Sequence, residues 1–251
     1  MRKLLLILAL FMHLAVSAQQ AASPFKKVAI ISLIGDQLSV DNYRERVGTR
    51  IDTNAREVIA LQGPVFDHTA LLATAQAASK MMSSVSFLPL SVPKSGSLLD
   101  PNLLLQDKTK PFDGAALEAL QKQGFDHLLA VTKHSARAIM QFVNGATGSG
   151  HLQGLGFYVD NFVRTRHGTT GNHAQGFVAP YAYLKITLVN LGDGAVVGEE
   201  IVTVSRIRSA TENKEGLGAW DAISPAEKVE MLNWLIRTGI SESVPRLLTG
   251  K

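Results

Sequence analysis

Cysteine is absent from the 251 residues. That removes disulfides, thiol nucleophiles, thiolate metal sites and attachment of a lipid through a cysteine. Net charge is scarce too: the formal +4 includes Arg2 and Lys3 of a segment expected to be cut off, which leaves +2 with lysines and arginines scattered along the chain. So small a balance gives no electrostatic footprint for nucleic acid. After the amino-terminal segment no stretch is both long and uncharged enough to make the ~20-residue apolar helix that spans a membrane. The usual marks of catalysis are missing as well. There is no GxSxG elbow, no Walker lysine motif and no HExxH, and the SxxK match "SVPK", Ser91 to Lys94, holds Pro93 inside the turn that would have to be helical. The expectation is therefore a non-catalytic protein with no cofactor.

What is present starts with an address. Arg2 and Lys3 precede the apolar run Leu4 to Val16, which ends in the small residues of "VSA" before Gln19 and Gln20. This is the pattern of a secretory signal peptide, with cleavage expected after Ala18 or closer to Ala22. Residues 1–18 are read as that signal, and the protein as periplasmic or secreted. With 46% hydrophobic residues over the whole sequence, residues 26–251 have the length and apolar material for a single α/β domain.

"KKVAIISLIG", Lys26 to Gly35, is rich in β-branched residues and closed by glycine, which predicts a central strand covered on both faces. Residues 37–61 predict an antiparallel excursion turning near Gly48, with Leu38, Val40, Val58 and Ile59 among its apolar positions. "HTALLATAQAASKMM" predicts a helix with Leu71, Leu72, Ala75, Ala78 and Met82 along one side. "VSFLPLSV" reads as a short strand. Four prolines between Pro89 and Pro111 mark a loop with one turn of helix at "PNLLLQD". "DGAALEALQKQG" then has Asp113 as N-cap and Gly124 as stop. "FDHLLAVTKHSARAIMQFV" comes next as strand, with His127 and His134 expected to be partly buried or at an edge. This order of strand, helix, strand, helix, strand predicts an α/β (α+β) fold, a mixed sheet with strand-helix-strand crossovers.

"VNLGDGAVVGE", Val189 to Glu199, imitates a phosphate-binding glycine loop, but that chemistry requires a helix whose amides face the phosphate. Gly194 instead leads into the β-branched run "AVVGEEIVTVSRI", and "YLKITLVN" precedes the glycines, so the segment reads as the turn of a long β-hairpin. The chain closes with a helix opened by the capping box Ser224, Pro225 and Glu227. Its apolar stripe is Val229, Leu232, Leu235 and Ile236, with Trp234 beside it, and Gly239 and Pro245 imply a kink or two helical pieces.

Eight of the 21 glycines fall between Asn144 and Phe177, so about 144–177 is expected to be a flexible excursion. Deleting Asn144 to Gly156 is expected to leave folding nearly intact. His151, His167 and His173 lie in this stretch with Asp160 between them. Imidazoles and a carboxylate suit zinc or copper, but their spacing matches no metal motif and solvated loop histidines are the commoner case, so no metal is expected. Phe157, Tyr158, Phe162, Phe177, Tyr181 and Tyr183 are candidates for a cleft or contact surface as well as for core. Phe157 and Tyr158 with Arg164 and Arg166 are taken as partner contacts.

The leader, the strand "KKVAIISLIG", the helix-strand pairs to "FDHLLAVT", the hairpin "AYLKITLVNLGDGAVVGEEIVTV" and the closing helix together resemble the α/β domain shared by the TolB amino-terminal domain, the curli-secretion lipoproteins and the peptidoglycan-synthase activator lipoproteins. The "SLIGDQLSV" opening is similar to that of a group of uncharacterised exported proteobacterial proteins. The wider group binds other envelope proteins, so the resemblance implies a periplasmic interaction domain with an envelope protein partner, contacted through Phe142 to Phe177 and the adjoining strand edges. Two other readings stay open: a metal-assisted or serine hydrolase built on His151, His167, His173 and Asp160, and a carrier of a small apolar ligand.

Overall fold

The structure, a computed structural model, describes residues 25–44, 54–91, 112, 114–142, 145–166, 171, 173–209 and 219–250. The expected signal peptide, the turn near Gly48, the helical turn at "PNLLLQD", Asp113 and His167 lie outside these residues.

The run "KVAIISL" forms β1 (Lys27–Leu33), paired in parallel with β4 (Ser86–Pro89) on one side and β5 (His127–Lys133) on the other. Between β1 and β4 come the antiparallel pair β2 (Gln37–Asn42) and β3 (Ala55–Ala60), then helix α1 (Val65–Met81). Helix α2 (Gly114–Lys122) connects β4 to β5 and is followed by Gly124, whose φ of 82° supplies the left-handed residue that stops a helix. The α/β expectation is met, with β1 at the centre of the three parallel strands.

The predicted strand after Gly124 is three pieces: β5, then β6 (Ser135–Arg137) and β7 (Met140–Phe142), the last paired with β8 (Gly145–Thr147). The chain returns as β9 (His151–Arg166) and β10 (His173–Asn190), and β10 turns through Gly194 (φ 71°) into β11 (Val196–Ser205). Gly194 N–H donates to the Asn190 carbonyl at 2.9 Å, and ten strand residues come after it, so this glycine cluster is a hairpin turn. β12 (Arg208–Ser209) adds two residues beside β10.

The 18-residue β10 bends the sheet. Along one edge it pairs first with β9 and then with β5, and along the other with β12 and β11. Register shifts at Gln175/Phe177 and Leu188/Val189 mark where the strand turns, the first at Gly176 with φ 93°. The result is a mixed sheet in the order β3-β2-β9-β10-β5-β1-β4, curled into a half-barrel.

Both faces of β1 and β5 are covered, because Val28 to Ile31 and Leu128 to Val131 are apolar and buried at every position. Val28, Ile30, Leu129, Val131, Leu184 and Ile186 pack with helix α1 and the closing helix α3 (Pro225–Thr249). Ala29, Ile31, Leu128, Ala130 and Val189 pack on the other side with Leu117 of α2 and with Phe112 and Phe125. At the far end of that second face, Ala138 and Met140 close over Tyr158, Phe177, Tyr181 and Tyr183.

Four expectations need correction. Helix α1 buries Phe66, Ala70, Leu71, Ala73, Thr74 and Ala78, a stripe of 3.6-residue period that leaves Leu72 outside. Helix α3 is one helix of 25 residues through Gly239 and Pro245, not two pieces, and is capped by Ser224 and Glu227 as expected. Gly239 serves packing, since it lies against Val202 of β11. The stretch 144–177 is mostly sheet: the residues that leave the sheet and return are those between β6 and β9, where β7 and β8 pair only with each other, whereas β9 and β10 are its longest strands. Leu152 and Leu155 are fully buried, so removing 144–156 would cut into the core rather than trim a loop.

Candidate functional site

The strands scatter the four metal candidates. His151 is exposed at the start of β9, where its carbonyl accepts from Arg56 at 2.8 Å. Asp160 is nine residues further on the same strand, hence roughly 30 Å away. It is buried, and its carboxylate accepts from the amides of Phe162 and Val163 at 2.8 and 3.0 Å. His173 is exposed at the start of β10, opposite Arg166. Among the described residues no group of three potential ligands converges. Phe157 and Tyr158 are wholly buried, so neither offers a surface to a partner, contrary to expectation. Tyr158 packs 6.0 Å from the Phe177 ring and Phe157 stands edge-on to Trp220 at 5.3 Å. Strand alternation puts them on opposite faces of one strand, both covered. Arg164 and Arg166 are exposed near the end of β9.

Two polar arrangements, one centred on buried Asp41 and one on half-buried Asp67, are structural in character. The Tyr181 hydroxyl donates to Asp41 Oδ2 at 2.6 Å, and Arg56 Nε donates to Asp41 Oδ1 at 2.7 Å. Burial first, then the Asp41 carboxylate, raises the Tyr181 phenol above its ordinary range. Gly156 makes room for the pair, since a Cβ there would lie 2.6 Å from the Tyr181 hydroxyl oxygen and 2.2 Å from the Ser39 carbonyl oxygen. At the carboxyl end of β1, Asp67 Oδ1 accepts from Ser32 Oγ at 2.6 Å and from the amides of Ile34 and Gly35 at 2.9 and 3.2 Å. Lys133, at the matching end of β5, has its pKa lowered by burial, against the opposing pull of Asp67 and Asp36.

The feature open to a large ligand lies elsewhere, beside helix α3. Two hollows of about 420 and 640 Å³ share Trp234 and Leu235 and so meet along the helix. The larger runs between Arg137 and Ile139 on one side, Thr238 and Glu242 on the other, with Thr203 to Ser205 of β11 between them. The smaller continues past Arg206, Arg208 and Pro180 to Met231 and Arg237. Local sequence explains the helix side. Leu232, Leu235 and Ile236 are buried while Trp234, 100° around the helix from Leu235, stays 44% exposed. The Arg206 guanidinium stands 5.3 Å from the Trp234 ring centre, a cation–π contact that holds the indole at the junction.

Four arginines and two glutamates line the two hollows. Glu230 is 3.7 Å from Arg237, and Arg208 reaches Glu227 at 3.8 Å outside the groove. Among the described residues Arg137 and Arg206 have no carboxylate partner. The joined hollows therefore carry more positive than negative side chains, three of the four arginines lining the smaller one, while Arg137 and Glu242 line the larger. Trp234 was legible as a residue beside the helical stripe. The groove was not, because Arg137, Trp234 and the pair Thr203 and Arg206 come from three distant parts of the chain: β6, α3 and the end of β11.

No protein-family model matches the chain, and no curated protein sequence matches it. Among solved structures, PelC of Paraburkholderia phytofirmans, described as a dodecamer, is 14% identical over 89% of this chain and 88% of its own, with a TM-score of 0.34. A Xanthomonas campestris protein of the DUF330 family is 11% identical over 87% of this chain and 80% of its own, with a TM-score of 0.36. A Helicobacter pylori homologue of a neuraminyllactose-binding hemagglutinin is 8% identical over 92% and 88%, with a TM-score of 0.35. These likenesses concern the fold, at scores too low to equate any side chain here with one of theirs.

Proposed function

We propose that this chain is a non-catalytic binding domain of the periplasm and that a protein partner of the envelope seats in the groove beside Trp234. The address rests on the leader, Arg2 to Ala18, and the absence of catalysis rests on the missing motifs. The observation that carries the reading is the half-exposed Trp234 at the junction of the two hollows, with Arg206 over its ring. Tryptophan and arginine at the centre of a concave patch are the residue types that dominate binding energy at protein interfaces.

A photoreactive amino acid at position 238, inside the groove, tests this in the native envelope. A second at position 72, exposed on α1, serves as control. The expected result is one envelope protein crosslinked from position 238 and absent from position 72. No adduct from position 238, or the same adducts from both, overturns the contact. Retention of Met1 in the exported protein, read by intact mass, overturns the address.

A further inference from the structure

We infer that the groove receives an extended acidic segment of its partner, added as a strand along the outer edge of β11; this rests on the partner-binding reading above.

Two independent features lead there. The first is the open edge. β11 is hydrogen-bonded to β10 along Tyr181–Val189, and among the described residues no strand pairs with its other edge. An edge strand exposes a row of amides and carbonyls that another chain can pair with. At Thr203 to Ser205 that edge is the back wall of the larger hollow, with Ile139 on one side and Trp234 of α3 on the other. A strand laid there gains backbone partners behind it and apolar surface on both its faces.

The second feature is charge. Four arginines and two glutamates line the joined hollows; of these, Arg137, Arg206 and Glu242 have no ion-pair partner among the described residues, which leaves two unpaired cations to one unpaired carboxylate. The two arginines stand at the two sides of the β11 end. The glutamates of β11 itself do not oppose an acidic visitor: Glu199 is bonded to Lys185 at 2.9 Å and Glu200 to Arg246 at 2.9 Å, both toward the other end of the strand. Complementary charge of this kind sets choice of partner and rate of encounter.

The test uses the full exported chain with fluorotryptophan at its two tryptophans, the Trp234 resonance being assigned with Trp234→Phe. The probe is a blocked decapeptide alternating Glu and Leu, with a Lys and Leu decapeptide as its counterpart. The expected result is a saturable shift of the Trp234 resonance with the acidic peptide only, slowed exchange of β11 amides, and affinity reduced tenfold or more by Arg206→Glu or Arg137→Glu. Equal response to both peptides, no response to the acidic one, or a shift without protection of β11 overturns the inference. So does a Trp234 shift driven by phosphatidylglycerol vesicles alone, or by protein concentration alone, which would assign the groove to lipid or to a second copy. A crosslink from position 238 combined with failure of the acidic peptide removes this inference and leaves the partner reading standing.

Discussion

Gly239 of α3 lies so close to Val202 of β11 that a Cβ at position 239 would sit 2.4 Å from Val202 Cγ1. In an exposed helix, alanine in place of glycine stabilises by about 1 kcal/mol. Here the added methyl meets a β-branched side chain that is stiff at χ1 and buried. Overpacking of this kind costs about 1–3 kcal/mol, so Gly239→Ala is expected to be net destabilising in urea titrations. Adding Val202→Ala should recover part of the loss, and a strictly additive double variant would show that the contact is not the cause.

Burial of the Tyr181 phenol, reinforced by the Asp41 carboxylate that accepts its hydrogen bond, makes stability depend on alkaline pH. The folded phenol is held above its ordinary pKa of 10, so the folded state keeps a proton that the unfolded state releases. Its contribution is therefore complete below pH 10 and shrinks as pH rises beyond it, by about 1.4 kcal/mol per pH unit. Tyr181→Phe leaves a buried carboxylate oxygen without its donor and is expected to cost about 1–3 kcal/mol near neutrality. That gap from the wild-type protein should close above pH 10. A gap that stays constant in chemical denaturation at pH 8 and 11 would contradict the assignment.

Leu152, fully buried under the β6 to β8 excursion, is expected to cost about 2–5 kcal/mol when replaced by alanine. Deletion of residues 144–156 should abolish the cooperative unfolding transition, since it also removes Leu155. A deleted protein that still melts sharply would show that β9 begins later than observed.

Asp67 closes the end of β1 through its bonds to Ser32, Ile34 and Gly35. Asp67→Ala should destabilise by about 1–3 kcal/mol, because three donors lose one acceptor. Asp67→Asn retains an acceptor oxygen and should cost less. Equal costs for the two substitutions, measured by thermal melts, would mean that the hydrogen bonds are not what the carboxylate contributes.

Trp234→Ala is expected to leave the melting transition nearly unchanged, as half of the indole already faces solvent, and to abolish the crosslink from position 238. Loss of stability equal to that of a core tryptophan would make Trp234 a packing residue instead.

The parts legible in the sequence were those set by neighbours along the chain. "KVAIISL" had to be a strand with both faces covered because Val28 to Ile31 form an unbroken apolar run rich in β-branched residues, continued by Leu33 and closed by Gly35. The Asp193–Gly194 turn came from local backbone geometry, and the α3 cap from the three residues Ser224, Pro225 and Glu227. Gly239 and Pro245 misled because their local preference for a break is overridden by packing on β10 and β11. The glycines of 144–177 misled in the same way. Gly156 and Gly176 sit where a Cβ would strike Tyr181 or the Asp160 carbonyl, so there they mark close approach within a sheet.

The candidate groove shows the limit most plainly. Local chemistry along the chain determined the alternation of strand and helix, the hairpin and the closing helix, since propensity, capping and turn geometry act over a few residues. Which aromatic side chains are buried, and which one faces a groove, was decided only when distant strands paired. Phe157 and Tyr158 look as available as Trp234 in the sequence. Phe157 and Tyr158 are covered from opposite faces of β9, whereas Trp234, with only the Arg206 guanidinium over its ring, stays 44% exposed beside the end of β11.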